Sequence, residues 1–259
     1  MCSACCWKIH DTMLFHRIRK WNGHHYQAAA LWQVGTKLYL GHNGRKCPSL
    51  GLVADGIYEV FGHADGAPSE AEEATLPGTE PWDGEEEMGE IYLERPSDSM
   101  LPIPPKTDTF GNPFVHIIHN NGIHQMPVVS CQCADQEEED LAYIDLGYFP
   151  ASFTKIRTTF TFGVLRAFRL ANLECKSTAY QYYQMLRRLT CPAFPESTTN
   201  WYREFRRVYR LFRNLSLLRR FGFAHRNDLP GKADLALFCA ACPQPGVNLS
   251  SEWKLDVNK

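Results

Sequence analysis

Cys2, Cys5 and Cys6, followed by His10 and His16, open the chain within sixteen residues. Thiolates and imidazoles separated by two to five residues suit a tetrahedral zinc ion, because adjacent ligands then reach a common point about 2.0–2.3 Å away. Two zinc ions in a cross-braced unit need eight ligands, and this segment offers five at most, so an upstream half is missing from the pattern. A second set is scattered: Cys47 in "GHNGRKCP", His124 in "NGIH", Cys131 and Cys133 in "CQC", and Cys239 and Cys242 in "CAACP". Cys-x-Cys pairs and Cys-x2-Cys pairs share a metal only where the fold joins them; otherwise they are buried free thiols. A redox role for Cys239 and Cys242 is disfavoured, since no βαβ pattern precedes them. Cys175 and Cys191 stand alone beside apolar helical positions, and His116 and His119 read as solvent-facing residues of a strand.

Charge is distributed unevenly. From Asp65 to Asp98 there are twelve acidic residues and one basic residue; from Trp201 to Arg226 there are eight arginines and one acid, Glu204. Arg203, Arg206, Arg207, Arg210 and Arg213 line one face of a helical pattern and offer either contact with DNA phosphates, which is salt-dependent and independent of sequence, or a solvated surface. No P-loop, Gly-x-Ser-x-Gly, His-Glu-x-x-His or apolar carboxylate pair is present, so no enzymatic activity is expected and no small-molecule substrate. The net charge of -2 names no partner. No run approaches the roughly 20 apolar residues that span a bilayer, and nothing near Met1 reads as a signal peptide. A soluble, intracellular chain with reduced thiols is expected, a setting in which clustered cysteines favour metal over disulfides.

The elements that must position these residues divide the chain into five stretches. Residues 1–25 are a partial Cys/His zinc-binding segment, and 26–51, with a strand over Thr36 to His42, begin a cysteine-cluster domain. Residues 52–113 are an acidic, proline-rich insertion whose composition cannot offset its ordering entropy and which reads as disordered. Residues 114–250 continue the domain, and 251–259 are a tail. "FVHIIHNNGIHQMPVVSCQC" reads as two strands joined by an Asn121-Gly122 turn. The period becomes helical from Thr158, giving helices over "TFTFGVLRAFRLANLEC", over "STAYQYYQMLRRL" with Ser177 as its cap, and from about Thr199 to Arg220. The last buries Trp201, Phe205, Val208, Phe212 and Leu215 within about 80° of one another at 100° per residue. "DQEEED" reads as a solvated loop, and "DLALFC" as a short strand before the Cys-x2-Cys turn. The fold class is α+β: a small zinc-binding, β-rich region with a three-helix segment and a disordered acidic insertion.

Five stretches occur in the order seen in the CxC-type cysteine-cluster domain associated with KDZ transposases of fungi, and the chain resembles that family over nearly everything outside residues 52–113. They are "CSACCWKIHDTMLFHRIRKWNGHHY", "LYLGHNGRKCP", "HNNGIHQMPVVSCQC", the run from "LGYFPASFTKIRTTFTF" to "MLRRLT", and "DLALFCAACPQPGVNL". The resemblance implies a nuclear, Zn2+-binding accessory module of a transposable element, serving DNA binding or partner recognition. Its zinc ligands would be Cys2, Cys5, His10 and His16 in one cluster, with Cys6 an alternative to Cys5, and Cys47, Cys131, Cys133, Cys239 and Cys242 in another. Such modules precede a ribonuclease-H-like catalytic domain that the present sequence does not contain, so a truncated form is expected. A transposon-derived protein-interaction adaptor and a non-functional relic are the alternatives.

Overall fold

A computed structural model describes residues 2–49, 102–133, 138–231, 234–236, 241–244 and 247–249. Residues 50–101, which hold most of the acidic insertion, lie outside the described residues, as do 237–240, with the second half of the expected short strand, and the tail; the first half of that expected strand, 234–236, is turn and bend instead. The chain divides into two units, 1–208 and 209–259.

The first unit begins with helix α1 (Ser3–His10) and a two-stranded hairpin, β1 (Ile18–Trp21) against β2 (Tyr26–Ala29). A five-stranded mixed sheet follows in the order β3-β5-β4-β7-β6. Its strands are β3 (Leu38–Tyr39), β4 (Phe114–His119), β5 (Gly122–Val129), β6 (Tyr148–Pro150) and β7 (Thr158–Thr161), with helix α2 (Glu139–Asp145) between β5 and β6. β3 runs parallel to β5, and β4 parallel to β7, so residues far apart in sequence are drawn side by side. One hydrophobic cluster joins Leu38, Val115, Ile117, Met126 and Val128 to Ala142 and Tyr143 of α2. Helices α3 (Phe162–Glu174), α4 (Ala179–Thr190) and α5 (Tyr202–Arg220) follow in sequence. Phe160, Phe168, Tyr182, Tyr183 and Phe205 form a second, aromatic core with ring centroids 5.0–6.1 Å apart, the offset and tilted spacing that such rings prefer.

Several boundaries differ from the sequence expectations for identifiable reasons. The β4–β5 turn is Asn120–Asn121, since His119 pairs with Gly122. Gly122 begins the return strand at φ +125°, where an added Cβ would strike the Arg17 guanidinium and the Thr190 hydroxyl. The "TTFT" run is strand β7, not helix: all four residues are buried, and Thr161 then caps α3 by accepting the Val164 N–H. Thr178, not Ser177, caps α4, in a capping box with Gln181. α2 starts inside the acidic run read as a loop, since Ala142 and Tyr143 give it a buried face. Residues 102–113, counted with the insertion, are described and tied in. Asp108 accepts the N–H groups of Phe110 and Asn112, and its carboxylate lies 3.6 Å from Lys37 Nζ, with both side chains under 4% exposed.

The second unit takes the C-terminal part of α5, which is followed two residues past its end by Gly222 in the left-handed conformation (φ +80°), as helix stops commonly are. Further on, Asn248 closes a small turn by accepting the Gln244 N–H and donating to the Cys242 carbonyl. Among the described residues, no helix is long and apolar enough to cross a membrane.

Candidate metal centre

The site forms where the β3–β5 ladder runs out. Leu40 N–H still donates to the Val129 carbonyl, carrying the parallel pairing one residue past β3. Beyond it the two chains separate, one into the turn Gly41-His42-Asn43-Gly44 and on to Cys47, the other into Ser130-Cys131-Gln132-Cys133. Gly41 has φ +81°, and a Cβ there would stand 3.1 Å from Cys131 Cβ, so only glycine lets the turn lie against the Cys-x-Cys segment. His42 (φ +46°) and Asn43 (φ +55°) are both left-handed without being glycine. Such strain persists where surrounding structure imposes it, and it gathers at functional positions.

Four donor atoms converge there. Cys47 Sγ is 3.7 Å from Cys131 Sγ and 3.5 Å from Cys133 Sγ, and His42 Nε2 is 3.3 and 3.4 Å from the same two sulfurs. All four lie within 4.8 Å of one another, and this is the one such group among the described residues. A tetrahedral zinc ion with three thiolates and one imidazole requires donor-to-donor edges of about 3.6–3.8 Å, given bonds of about 2.3 Å to sulfur and 2.0–2.1 Å to nitrogen. The residues therefore fit a Cys3His metal site, with slight expansion on binding.

The electrostatics favour thiolate at Cys47. Backbone N–H groups of Gln132 and then Ser49, with hydrogen bonds from the Cys133 and Cys131 thiols, overcome burial and bring the Cys47 thiol down to about 5. Cys131 accepts the Cys133 N–H, which lowers it, but desolvation and the adjacent Cys133 and Cys47 thiols leave it raised. One readily ionised sulfur beside one that resists ionisation is what crowded like charges produce without a cation. Cys47 is buried and His42 exposed, so the centre has a closed side and an open side. On the open side a cavity continues past Glu138, Glu139 and Asp145.

Sequence spacing indicated three of these four donors and missed His42. The available signal was "GHNG": a histidine between glycines, five residues before a candidate ligand cysteine. His124, read with the second set, lies elsewhere on β5, donating from Nε2 to Asn121 Oδ1 at 2.7 Å. Desolvation, then Arg17 and His119, bring it down to about 3. His116 and His119 are packed, not solvent-facing: His116 bonds Gln125 and lies on Trp201, while His119 bonds Thr161 and stacks on Phe15 at 4.4 Å. Cys239 lies outside the described residues, and Cys242 is exposed in the second unit.

The N-terminal set is arranged in pairs. Cys2 begins α1, its thiol held below the usual value by the Cys5 N–H and side chain, while the Cys2 side chain pushes Cys5 up. Cys6 Sγ lies 3.7 Å from His10 Nδ1, which also lies 2.8 Å from the Cys6 carbonyl, and the His10 and His16 rings meet edge to face at 5.4 Å. Cys175 is exposed and Cys191 buried. The α5 arginines Arg203, Arg206, Arg207, Arg210 and Arg213 are all exposed; Arg207 donates to the Ala151 carbonyl and Arg206 lies over Tyr202.

Residues 101–193 match the family model described as a CxC2 like cysteine cluster associated with KDZ transposases. The matched segment contains Cys131 and Cys133, whereas His42 and Cys47 lie before it. No curated protein and no solved structure matches the chain.

Proposed function

Because residues 101–193 carry this transposase-associated cysteine cluster, we propose that the chain is a non-enzymatic accessory module of a KDZ-type transposase, built around a structural zinc ion. The convergence of His42, Cys47, Cys131 and Cys133 supports the zinc, since three sulfurs and one imidazole nitrogen stand at nearly the spacing that a tetrahedral ion requires. Bound there, zinc would join the end of β3 to the end of β5 as a fixed cross-link; a complete four-ligand protein set suits structure, where a catalytic zinc keeps one position for water. The arginine face of α5 is the DNA-contacting surface in this reading. Its five arginines are exposed residues, and displacing counterions from phosphates makes affinity fall as salt rises.

Two measurements test it. Elemental analysis of the purified chain is expected to give about one zinc per chain at this centre, lost in a Cys131→Ser, Cys133→Ser double variant. Binding to random duplex DNA is expected to weaken by tenfold or more between about 50 and 200 mM salt; a flat response sinks the DNA reading and favours a protein-interaction adaptor, for which the exposed Leu170, Leu173, Tyr180, Met185 and Leu189 on α3 and α4 offer an apolar surface.

A further inference from the structure

A cavity of about 220 Å³ lies in the first unit, away from the cysteine site, where the N-terminal segment meets β5 and the end of α4. Leu14, Leu31, Ile123 and Met126 give it an apolar wall, and Arg17, His116, Gln125 and Thr199 a polar one. Arg17 is the distinctive member. Its Nε and Nη2 donate to the Asn121 carbonyl at 3.2 and 3.1 Å, and Nη1 donates to the Thr190 carbonyl at 2.9 Å. All these acceptors are neutral, and among the described residues no carboxylate pairs with the guanidinium. A guanidinium has five N–H groups, so two stay available after these bonds. Gly122 has no Cβ where the guanidinium lies, so the hairpin is shaped to seat this cation. Packing around it lowers its pKa, with the neighbouring Cys191 thiol opposing that shift.

We propose that this cavity binds a small oxyanion, a carboxylate or phosphate monoester on a compact apolar group, with Arg17 as its counter-charge. Planar fork geometry matches such groups, and the apolar wall fits the remainder of the ligand. The volume lies below the 300–1,000 Å³ typical of drug-sized ligands, which restricts the occupant to something the size of a single substituted ring. The occupant is a ligand and not a substrate, and the inference is independent of the zinc reading.

Calorimetric titration of the full chain with benzoate, phenyl phosphate, inorganic phosphate and neutral benzamide, at matched ionic strength, tests it. Saturable one-to-one binding of benzoate or phenyl phosphate is expected, at least about tenfold tighter than inorganic phosphate, with benzamide inert. Arg17→Gln is expected to weaken binding about tenfold or more, the effect of removing one charge-assisted hydrogen-bonding group. Ala30→Phe, which fills the cavity and leaves Arg17 in place, is expected to abolish it. Absence of saturable binding by both apolar-bodied anions overturns the proposal. So does binding that Ala30→Phe leaves unchanged, or an Arg17-dependent response to duplex DNA while the small anions are inert.

Discussion

Two regions of this chain are rich in cysteine and histidine, and they are held together in different ways. The N-terminal set lies within sixteen residues, on α1 and the turn after it, and the structure arranges it as pairs: Cys2 with Cys5, Cys6 with His10, His10 with His16. The second set draws Cys47 and Cys131 from positions 84 residues apart, and there four donors come within 4.8 Å of one another. Local spacing on a helix brings neighbours together but gives no common centre, whereas a parallel strand pair fixes two distant loops at one point. The number of cysteines in a stretch is therefore a poorer guide to a metal centre than the frame that carries them.

The largest expected effect breaks the better-framed site. Chelation, or the Cys131→Ser, Cys133→Ser variant, is expected to remove about one zinc and about 4 kcal/mol or more of stability at free zinc a thousandfold above Kd, read by denaturant unfolding. Next comes the frame itself. Asp108→Ala leaves Lys37 buried without its carboxylate and is expected to cost about 3 kcal/mol, with zinc affinity falling alongside stability because Lys37 adjoins β3.

Acid is expected to act between the two regions, on the β4–β5 hairpin. His124, His116 and His119 all titrate below the ordinary histidine value, chiefly through burial, and Phe15 and Arg17 pack or bond to the same hairpin. Since the unfolded chain takes up these protons first, their contribution is complete above about pH 6.5 and is lost as pH falls toward about 3 for His124. A slope of up to about 1.4 kcal/mol per pH unit per histidine is expected, and His124→Gln flattens it. The smallest effect sharpens the comparison: Cys2→Ser with Cys5→Ser is expected to leave the unfolding midpoint and the zinc of the second site unchanged, as exposed substitutions usually do. Loss of that zinc would show the two regions to be one centre.

Much of the frame was legible in the sequence. Alternation in "FVHIIH" marked β4, and of the five-residue stripe expected to be buried on α5, Phe205 and Val208 are buried, Trp201 and Phe212 half-buried and Leu215 exposed, so the stripe is covered only toward the start of the helix. "TTFT" was not separable from the helix after it, since a short, fully buried strand has no alternation and here runs straight into a capped helix. α2 was hidden by its acidic first turn, which favours a helix N-terminus yet reads as solvent-exposed loop. At the site, the cysteines were visible by type. His42 was not, because its partnership depends on a parallel pairing between segments far apart in sequence, and no local spacing encodes that.

The buried Lys37–Asp108 ion pair, the β3–β5 ladder and the thiol–imidazole quartet all tie the chain before residue 50 to the chain after residue 101. They act as a clasp between two parts of the chain that are far apart in sequence. Because its members lie before residue 50 and after residue 101, loosening any one of them shifts the register of β3 on β5, and with it the spacing of the four donors.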